Sequence, residues 1–231
     1  MIKAILFDFN GVIIDDEPLH MRAYQEILKS EGIDLTEEDY FASLGMNDKA
    51  FIQATHARVD REISDVNLQK IMTEKTAKWR TFVEAEIPLF EGVENFVRKM
   101  EKEFALGIVS MARREEIEFV LEKVDLKNCF SIIVSAEDVS NHKPNPECYR
   151  KGFTLLDAAR TRRGGHHPII QSECLVIEDS PQGIMAGRAA GLKTLGVTNT
   201  VSAERLREAG ADSVSKNLND WMPDAIRRVF V

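Results

Sequence analysis

Five short apolar runs recur along the chain: "KAILFDF" (3–9), "FALGIVS" (104–110), "SIIVSA" (131–136), "CLVIED" (174–179) and "KTLGVTN" (193–199). Each is close to strand length and nearly continuous rather than alternating. That pattern predicts strands buried on both faces, as in a parallel sheet covered by helices. The segments between them carry the helical period. In "REEIEFVLEKV" (114–124), Ile117, Val120, Leu121 and Val124 recur at i, i+3, i+4 and i+7, which is one stripe of a helix. "SPQGIMAGRAAGL" (180–192) is rich in Ala and Gly, as suits a helix lying close on a sheet. The alternation of strand and helix predicts an α/β protein with a doubly wound, mainly parallel, Rossmann-like sheet.

One interval breaks the rhythm. Between residues 15 and 88 no strand pattern occurs, and four helical stretches follow one another. "PLHMRAYQEILKSEG" (18–32) aligns Met21, Tyr24, Ile27 and Leu28 on one stripe, with Gly32 placed as a C-cap. "TEEDYFASL" offers Thr36 as an N-cap with acids in the first turn. Residues 48–59 and 65–84 read as two further helices. The expected organisation is an α/β core from residues 1–14 and 88–231, with an inserted helical domain at 15–87.

Composition narrows the partners. The 231 residues are 44% hydrophobic and 29% charged with a net charge of −8, which suits a packed core and speaks against a general nucleic-acid or anionic-membrane surface. No apolar run approaches the ~20 residues of a membrane span. "MIKAILFDF" is too short and turns acidic too soon to read as a signal peptide. The three cysteines (Cys129, Cys148, Cys174) show no ligand spacing, so ordinary thiols in a reducing, cytoplasmic setting are expected. A monomer or weak homo-oligomer is the default. "ARTRRGGHHPIIQSE" (159–173) reads as a basic, Gly-rich surface loop.

Chemistry gathers at the predicted strand ends, where doubly wound folds place their ligands. The first run ends at Asp8, the second at Ser110 and the fourth at Glu178-Asp179, and Lys143 stands in "NHKPNP" after the third. A carboxylate cluster suits a hard cation such as Mg²⁺, lysine supplies a positive charge, and a hydroxyl with backbone N–H groups can hold phosphate oxygens. An aspartate can also attack phosphorus. Taken singly, each residue has a plainer reading. Asp8 can be a turn residue before Asn10-Gly11, itself a hairpin signal, and Ser110 a helix N-cap. Lys143 can be a solvated loop lysine, and Glu178-Asp179 can charge a helix N-terminus. Their joint order along the chain is what points to phosphoryl transfer.

Four stretches resemble the haloacid dehalogenase superfamily, in its branch of small-cap phosphatases and β-phosphoglucomutase-like enzymes. They are "FDFNGVIIDDEPLH", "GIVSMARR", "SAEDVSNHKPNPECY" and "CLVIEDSPQGIMAGRAAGL", and the matches span residues 3 to 199. The resemblance implies a Mg²⁺-dependent phosphatase acting on a small phosphorylated metabolite through an aspartyl-phosphate on Asp8. It implies Asp8, the backbone carbonyl of Asn10, Glu178 and Asp179 as metal ligands, with Glu178 acting directly or through water. Ser110 and Met111 would bind phosphate, and Lys143 would orient Asp8. "SLGMNDKAF" (43–51) is similar to the family's specificity loop, which makes Gly45 and Lys49 substrate-side candidates, and His20 matches the family histidine near the hinge. The helical interval would be the family's cap.

The first motif departs from the family at Asn10, where relatives carry a second aspartate as general acid and base. An amide has no proton to give near neutral pH. The expected consequence is a slow enzyme rather than an inert site. The alternatives are a catalytically weak phosphate-binding protein, another acid such as Asp15, Asp16 or His20, or an Asn10 that was substituted or has deamidated. A phosphonatase would need a cap lysine such as Lys49, a dehalogenase would not need Glu178-Asp179, and a mutase would need the missing acid. His142 stands where many relatives have Gly and is expected to face solvent.

Overall fold

The computed structural model describes residues 1–43, 46–162 and 167–231. In chain order the elements are β1 (Ala4–Phe7), α1 (Glu17–Ser30), α2 (Glu37–Phe41), α3 (Asp48–Ala57), α4 (Asp65–Ala85), α5 (Val93–Met100), β2 (Ala105–Val109), α6 (Arg114–Lys123), β3 (Ile132–Val134), α7 (Glu147–Arg162), β4 (Cys174–Glu178), α8 (Pro181–Ala189), β5 (Lys193–Val197), α9 (Ala203–Glu208), β6 (Ser213–Ser215) and α10 (Pro223–Val229). They fall into two compact units, residues 1–14 with 89–231, and residues 15–88.

The first unit is built on one sheet with strand order β3-β2-β1-β4-β5-β6. Every neighbouring pair is parallel. The chain winds from β1 outward to β3 on one side and from β4 outward to β6 on the other. This places the switch point, and the crevice that follows from it, at the carboxyl ends of β1 and β4. The near-continuous apolar runs are explained by two-sided burial. Ala4 and Leu6 of β1 join Val109, Val134, Val176 and the α7 residues Cys148, Tyr149 and Leu156 in one cluster. Phe7 turns to the other face, where it meets Phe96 of α5 and Phe130 edge-on. The sixth strand, Ser213–Ser215, lies outside the five predicted runs. Its three half-buried residues, Ser-Val-Ser, carry almost no apolar signal, and pairing with β5 alone makes it a strand. Short edge strands of this kind limit unwanted pairing.

The second unit packs α1 against α4, with Tyr24, Ile27, Leu28, Ile33, Tyr40, Phe51, Leu68 and Ile71 in its core. α1 ends in a paired-bond cap. The Ile33 N–H donates to the Leu28 carbonyl and the Gly32 N–H to that of Lys29, with Gly32 at φ +73°. That geometry asks for glycine and closes the helix with the Leu28–Ile33 apolar contact. Thr36 and Asn47 cap α2 and α3 through their side-chain oxygens.

The stretch 159–173 is less of a loop than expected. α7 continues to Arg162 because Ala-Ala-Arg-Thr-Arg holds good helix formers. Gln171–Glu173 form a single 3-10 turn, and residues 163–166 lie outside the described residues. Among the described residues no helix is long and apolar enough to cross a membrane.

Candidate active site

Asp8 follows β1 directly, and its N–H still donates to the Ile177 carbonyl at 3.0 Å, so the β1–β4 ladder sets its position. Its Oδ1 accepts from the Phe9 N–H at 2.8 Å. The chain then turns tightly. The Gly11 N–H donates to Ile14 O at 2.9 Å and the Ile13 N–H to Phe9 O at 2.8 Å. The Asn-Gly pair therefore makes a turn but no β-hairpin, since both sheet neighbours of β1 are parallel strands. Gly11 sits at φ +74°, and a Cβ there would lie 1.9 Å from Asp179 Oδ2. Only glycine allows the turn to approach the second acid this closely.

β4 ends at Glu178, and Asp179 follows. Glu178 is fully buried and its carboxylate is completely occupied. Oε1 accepts from Lys143 Nζ at 2.6 Å and from the Tyr149 hydroxyl at 2.9 Å. Oε2 accepts from the Asp179 and Ser180 N–H groups, each at 3.0 Å, and from the Ser180 hydroxyl at 2.9 Å. Five donors fill the roughly four lone-pair sites of a carboxylate. The start of α8 is cut to fit, because a Cβ at Gly183 would fall 1.7 Å from Glu178 Oε1.

Lys143 is buried, not a solvated loop residue, and its Nζ also lies 3.0 Å from Asp8 Oδ2. Ser110 follows β2 directly and its Oγ lies 3.5 Å from Asn10 Oδ1. It accepts from the Ala112 N–H at 3.1 Å. It does not cap α6, whose N-cap is Arg113. Met111 packs partly against the core cluster. The carboxyl ends of β1, β2 and β4 and the loop after β3 thus bring Asp8, Asn10, Ser110, Lys143, Glu178 and Asp179 together.

The charges are unbalanced. Burial, then repulsion from Glu178, lifts the Asp8 carboxyl to about 7 against the pull of Lys143. Burial and the charges of Glu178 and Asp8 raise Asp179 well above the usual carboxylate range. Burial also opposes the charge on Glu178, but the Lys143 ammonium and the hydrogen bonds to the carboxylate together outweigh it and hold that carboxyl below its ordinary value. Burial disfavours the Lys143 charge as well, and Asp8 and Glu178 together more than restore it. Asp8, Glu178 and Asp179 each bring a carboxylate oxygen within 4.8 Å of the others. Hard oxygen donors with surplus negative charge fit a hard divalent cation.

Three residues here escape sequence reading. Tyr149 lies on α7 and no local pattern marks it. Asn199 and Thr200 follow β5. The Asn199 Nδ2 donates to Gly11 O at 2.7 Å, and the Thr200 hydroxyl donates to Asp179 Oδ2. The strand-end rule that finds Asp8 and Asp179 also covers this loop.

The remaining candidates belong to the helical unit. His20 is buried on α1, where its Nε2 meets Asp16 Oδ2 at 3.0 Å and its ring stacks on Trp79 with centroids 5.3 Å apart. Asp16 also accepts from Trp79 Nε1 at 2.9 Å. His20 and Asp16 are thus bound to each other inside that unit, and Asp15 is exposed. Lys49 is exposed at the start of α3, and Gly45 lies outside the described residues. His142 is half-buried rather than solvent-facing, and its Nδ1 is buried with no hydrogen-bond partner among the described residues.

The comparisons agree with this geometry. The family model for haloacid dehalogenase-like hydrolases matches residues 5–197. The phosphorylated carbohydrates phosphatase of Thermotoga maritima is 30% identical over 219 residues, 93% of this chain and 94% of that protein. Fructose-1-phosphate phosphatase of Escherichia coli is 28% identical over 197 residues, 84% and 95% of the two chains. The crystal structure of β-phosphoglucomutase from Clostridium difficile superposes with a TM-score of 0.84 at 21% identity, covering 100% of this chain and 97% of that one, a likeness of fold. With the parallel sheet, the acid-bearing ends of β1 and β4 and the lysine between them, these matches show that the chain belongs to the haloacid dehalogenase-like hydrolases.

Proposed function

We propose that the protein is a Mg²⁺-dependent phosphatase of small phosphorylated carbohydrates, slowed by the amide at residue 10. The observation that carries this reading is Asp8: a buried carboxylate 3.0 Å from the Lys143 ammonium, in a cluster with two further acids. Named activities of the relatives, on phosphorylated carbohydrates and on fructose 1-phosphate, support the substrate class. Asp8, Asp179 and the Asn10 carbonyl would hold the cation, with Glu178 as the charge that anchors Lys143. A bound Mg²⁺ would supply charge neutralisation for the phosphate and for Asp8.

In this mechanism an Asp8 oxygen attacks phosphorus and the bond to the ester oxygen breaks, leaving an aspartyl-phosphate and an alkoxide. Water then attacks the aspartyl-phosphate, releasing phosphate and returning Asp8. Lys143 keeps Asp8 ionised and aimed. The Ser110 hydroxyl and the Met111 N–H suit phosphate oxygens. The Asn10 side chain can donate a hydrogen bond, but it cannot protonate the departing alkoxide, so that proton comes from solvent. General acid assistance contributes about 10²–10⁴-fold, and this is the expected deficit. The helical unit is read as the family's cap, and Lys49, exposed at the start of α3, is its candidate substrate residue.

The test is hydrolysis of p-nitrophenyl phosphate and of a panel of sugar and sugar-alcohol phosphates. Activity is expected to require Mg²⁺, to vanish with EDTA and in Asp8→Asn, and to rise by at least about tenfold in Asn10→Asp. Turnover that survives Asp8→Asn overturns the nucleophile. Phosphate binding with no turnover by either the parent or Asn10→Asp makes the protein a phosphate binder instead.

A further inference from the structure

We infer that Asn199 and Thr200 are positioning residues that brace the cation cradle and set its preference for Mg²⁺ over Ca²⁺. This rests on the metal-dependent function proposed above. The loop that carries the two residues is itself anchored, because the Thr198 N–H donates to Ser215 O at 3.0 Å and ties it to β6. From that anchor two consecutive side chains reach the two halves of the cradle. Asn199 Nδ2 donates to the Gly11 carbonyl at 2.7 Å and pins the turn that carries Asn10, whose carbonyl is a ligand in the function proposed above. Its orientation is unambiguous, since only the NH₂ end of an amide donates to a carbonyl. Thr200 donates its hydroxyl to Asp179 Oδ2.

The two halves also touch each other. Gly11 packs so tightly on Asp179 that a Cβ would meet Oδ2 at 1.9 Å. Gly11, Asp179, Asn199 and Thr200 therefore form one contiguous group, although they come from the loops after β1, β4 and β5. Hydrogen bonds of this kind behind metal ligands orient them, and losing one typically costs 10–100-fold in metal affinity.

Thr200 has a second effect. With Oδ2 engaged by the hydroxyl and packed on by Gly11, Oδ1 is the oxygen that Asp179 would offer to a cation. One oxygen per carboxylate suits Mg²⁺, which demands octahedral geometry. Ca²⁺ accepts both oxygens of a carboxylate and a higher coordination number. Without the hydroxyl, the second oxygen is released and the site relaxes toward Ca²⁺.

The experiment is calorimetric titration of the full chain with Mg²⁺ or Ca²⁺ alone, with no substrate present. Thr200→Val is expected to weaken Mg²⁺ binding by about 10–100-fold while Ca²⁺ binding stays within about threefold, so that the Mg²⁺/Ca²⁺ affinity ratio falls. Thr200→Ser restores the hydroxyl and is expected to bind both ions within about threefold of the parent. Asn199→Leu moves the turn without freeing an oxygen and is expected to weaken both ions alike. Thr200→Ala carries the test if the Val variant does not fold, as judged by its melting transition. An unchanged Mg²⁺/Ca²⁺ ratio in the hydroxyl-less variant overturns the inference. A parent that binds no Mg²⁺ overturns instead the metal-dependent function on which it rests.

Discussion

Lys143→Met removes the ammonium that bridges Asp8 and Glu178, and the loss should depend on pH. Lys143 Nζ lies 2.6 Å from Glu178 Oε1 and 3.0 Å from Asp8 Oδ2, with side-chain exposures of 4% or less for Lys143 and Glu178. At an effective dielectric constant near 20, a pair at 3 Å is worth about 5 kcal/mol before desolvation is counted. Breaking one partner out of a buried pair typically costs about 3–5 kcal/mol. For a domain of this size that is a fall in melting temperature of roughly 6–20 °C at 2–4 °C per kcal/mol. The pH dependence is the sharper check. The Asp8 carboxyl is raised to about 7, above its ordinary 3.8. The folded parent thus holds its proton more tightly than the unfolded chain, and stability falls as pH rises from about 4 to about 7. At pH 5 Asp8 is protonated with or without Lys143, and the variant loses chiefly the Glu178 pair. At pH 8.5 the parent has Asp8 ionised against Lys143, while the variant must still hold it protonated. That span of about 1.5 pH units above 7 adds up to roughly 2 kcal/mol of extra loss at 1.36 kcal/mol per unit. Asp179 is lifted for the same reason and moves the same way. The assay is urea denaturation of the metal-free protein in EDTA at pH 5.0 and 8.5. A loss equal at both pH values, or larger at pH 5.0, would refute the charge argument.

Other changes probe the supports of the site. Gly11→Ala places a Cβ against Asp179 at φ +74°, and it is expected to destabilise the protein by about 2 kcal/mol or more and to abolish metal binding, read by thermal melts with and without Mg²⁺. Tyr149→Phe removes one donor from a buried carboxylate and is expected to cost about 1.5–3 kcal/mol in urea denaturation, with a larger loss in the metal-free form at high pH. In the helical unit, Lys75→Met leaves Asp48, 3.3 Å away, without that ammonium, and is expected to cost about 3 kcal/mol, checked by the helical signal in circular dichroism during denaturation. Thr36→Ala removes the α2 cap and is expected to cost only about 1 kcal/mol by the same measurement.

The chain by itself determined the α/β class, because strands buried on both faces must be apolar without a break and helices on a sheet must carry a stripe. It also determined which residues stand at the strand ends. Asp8, Ser110 and Glu178-Asp179 each follow a recognisable run, so a local rule finds them. Ser213–Ser215 was illegible because a short edge strand needs only a neighbour, not an apolar sequence. What only the tertiary structure decided is how the charges divide. Glu178 is engaged by Lys143, Tyr149 and Ser180 from three separate segments, and no local pattern in the sequence marks that engagement. The same holds for Asn199 and Thr200, which reach residues 188 and 21 positions away in the chain. Periodicity is set by neighbours within a helix or strand, whereas a hydrogen bond across strand ends depends on the order in which the sheet is wound.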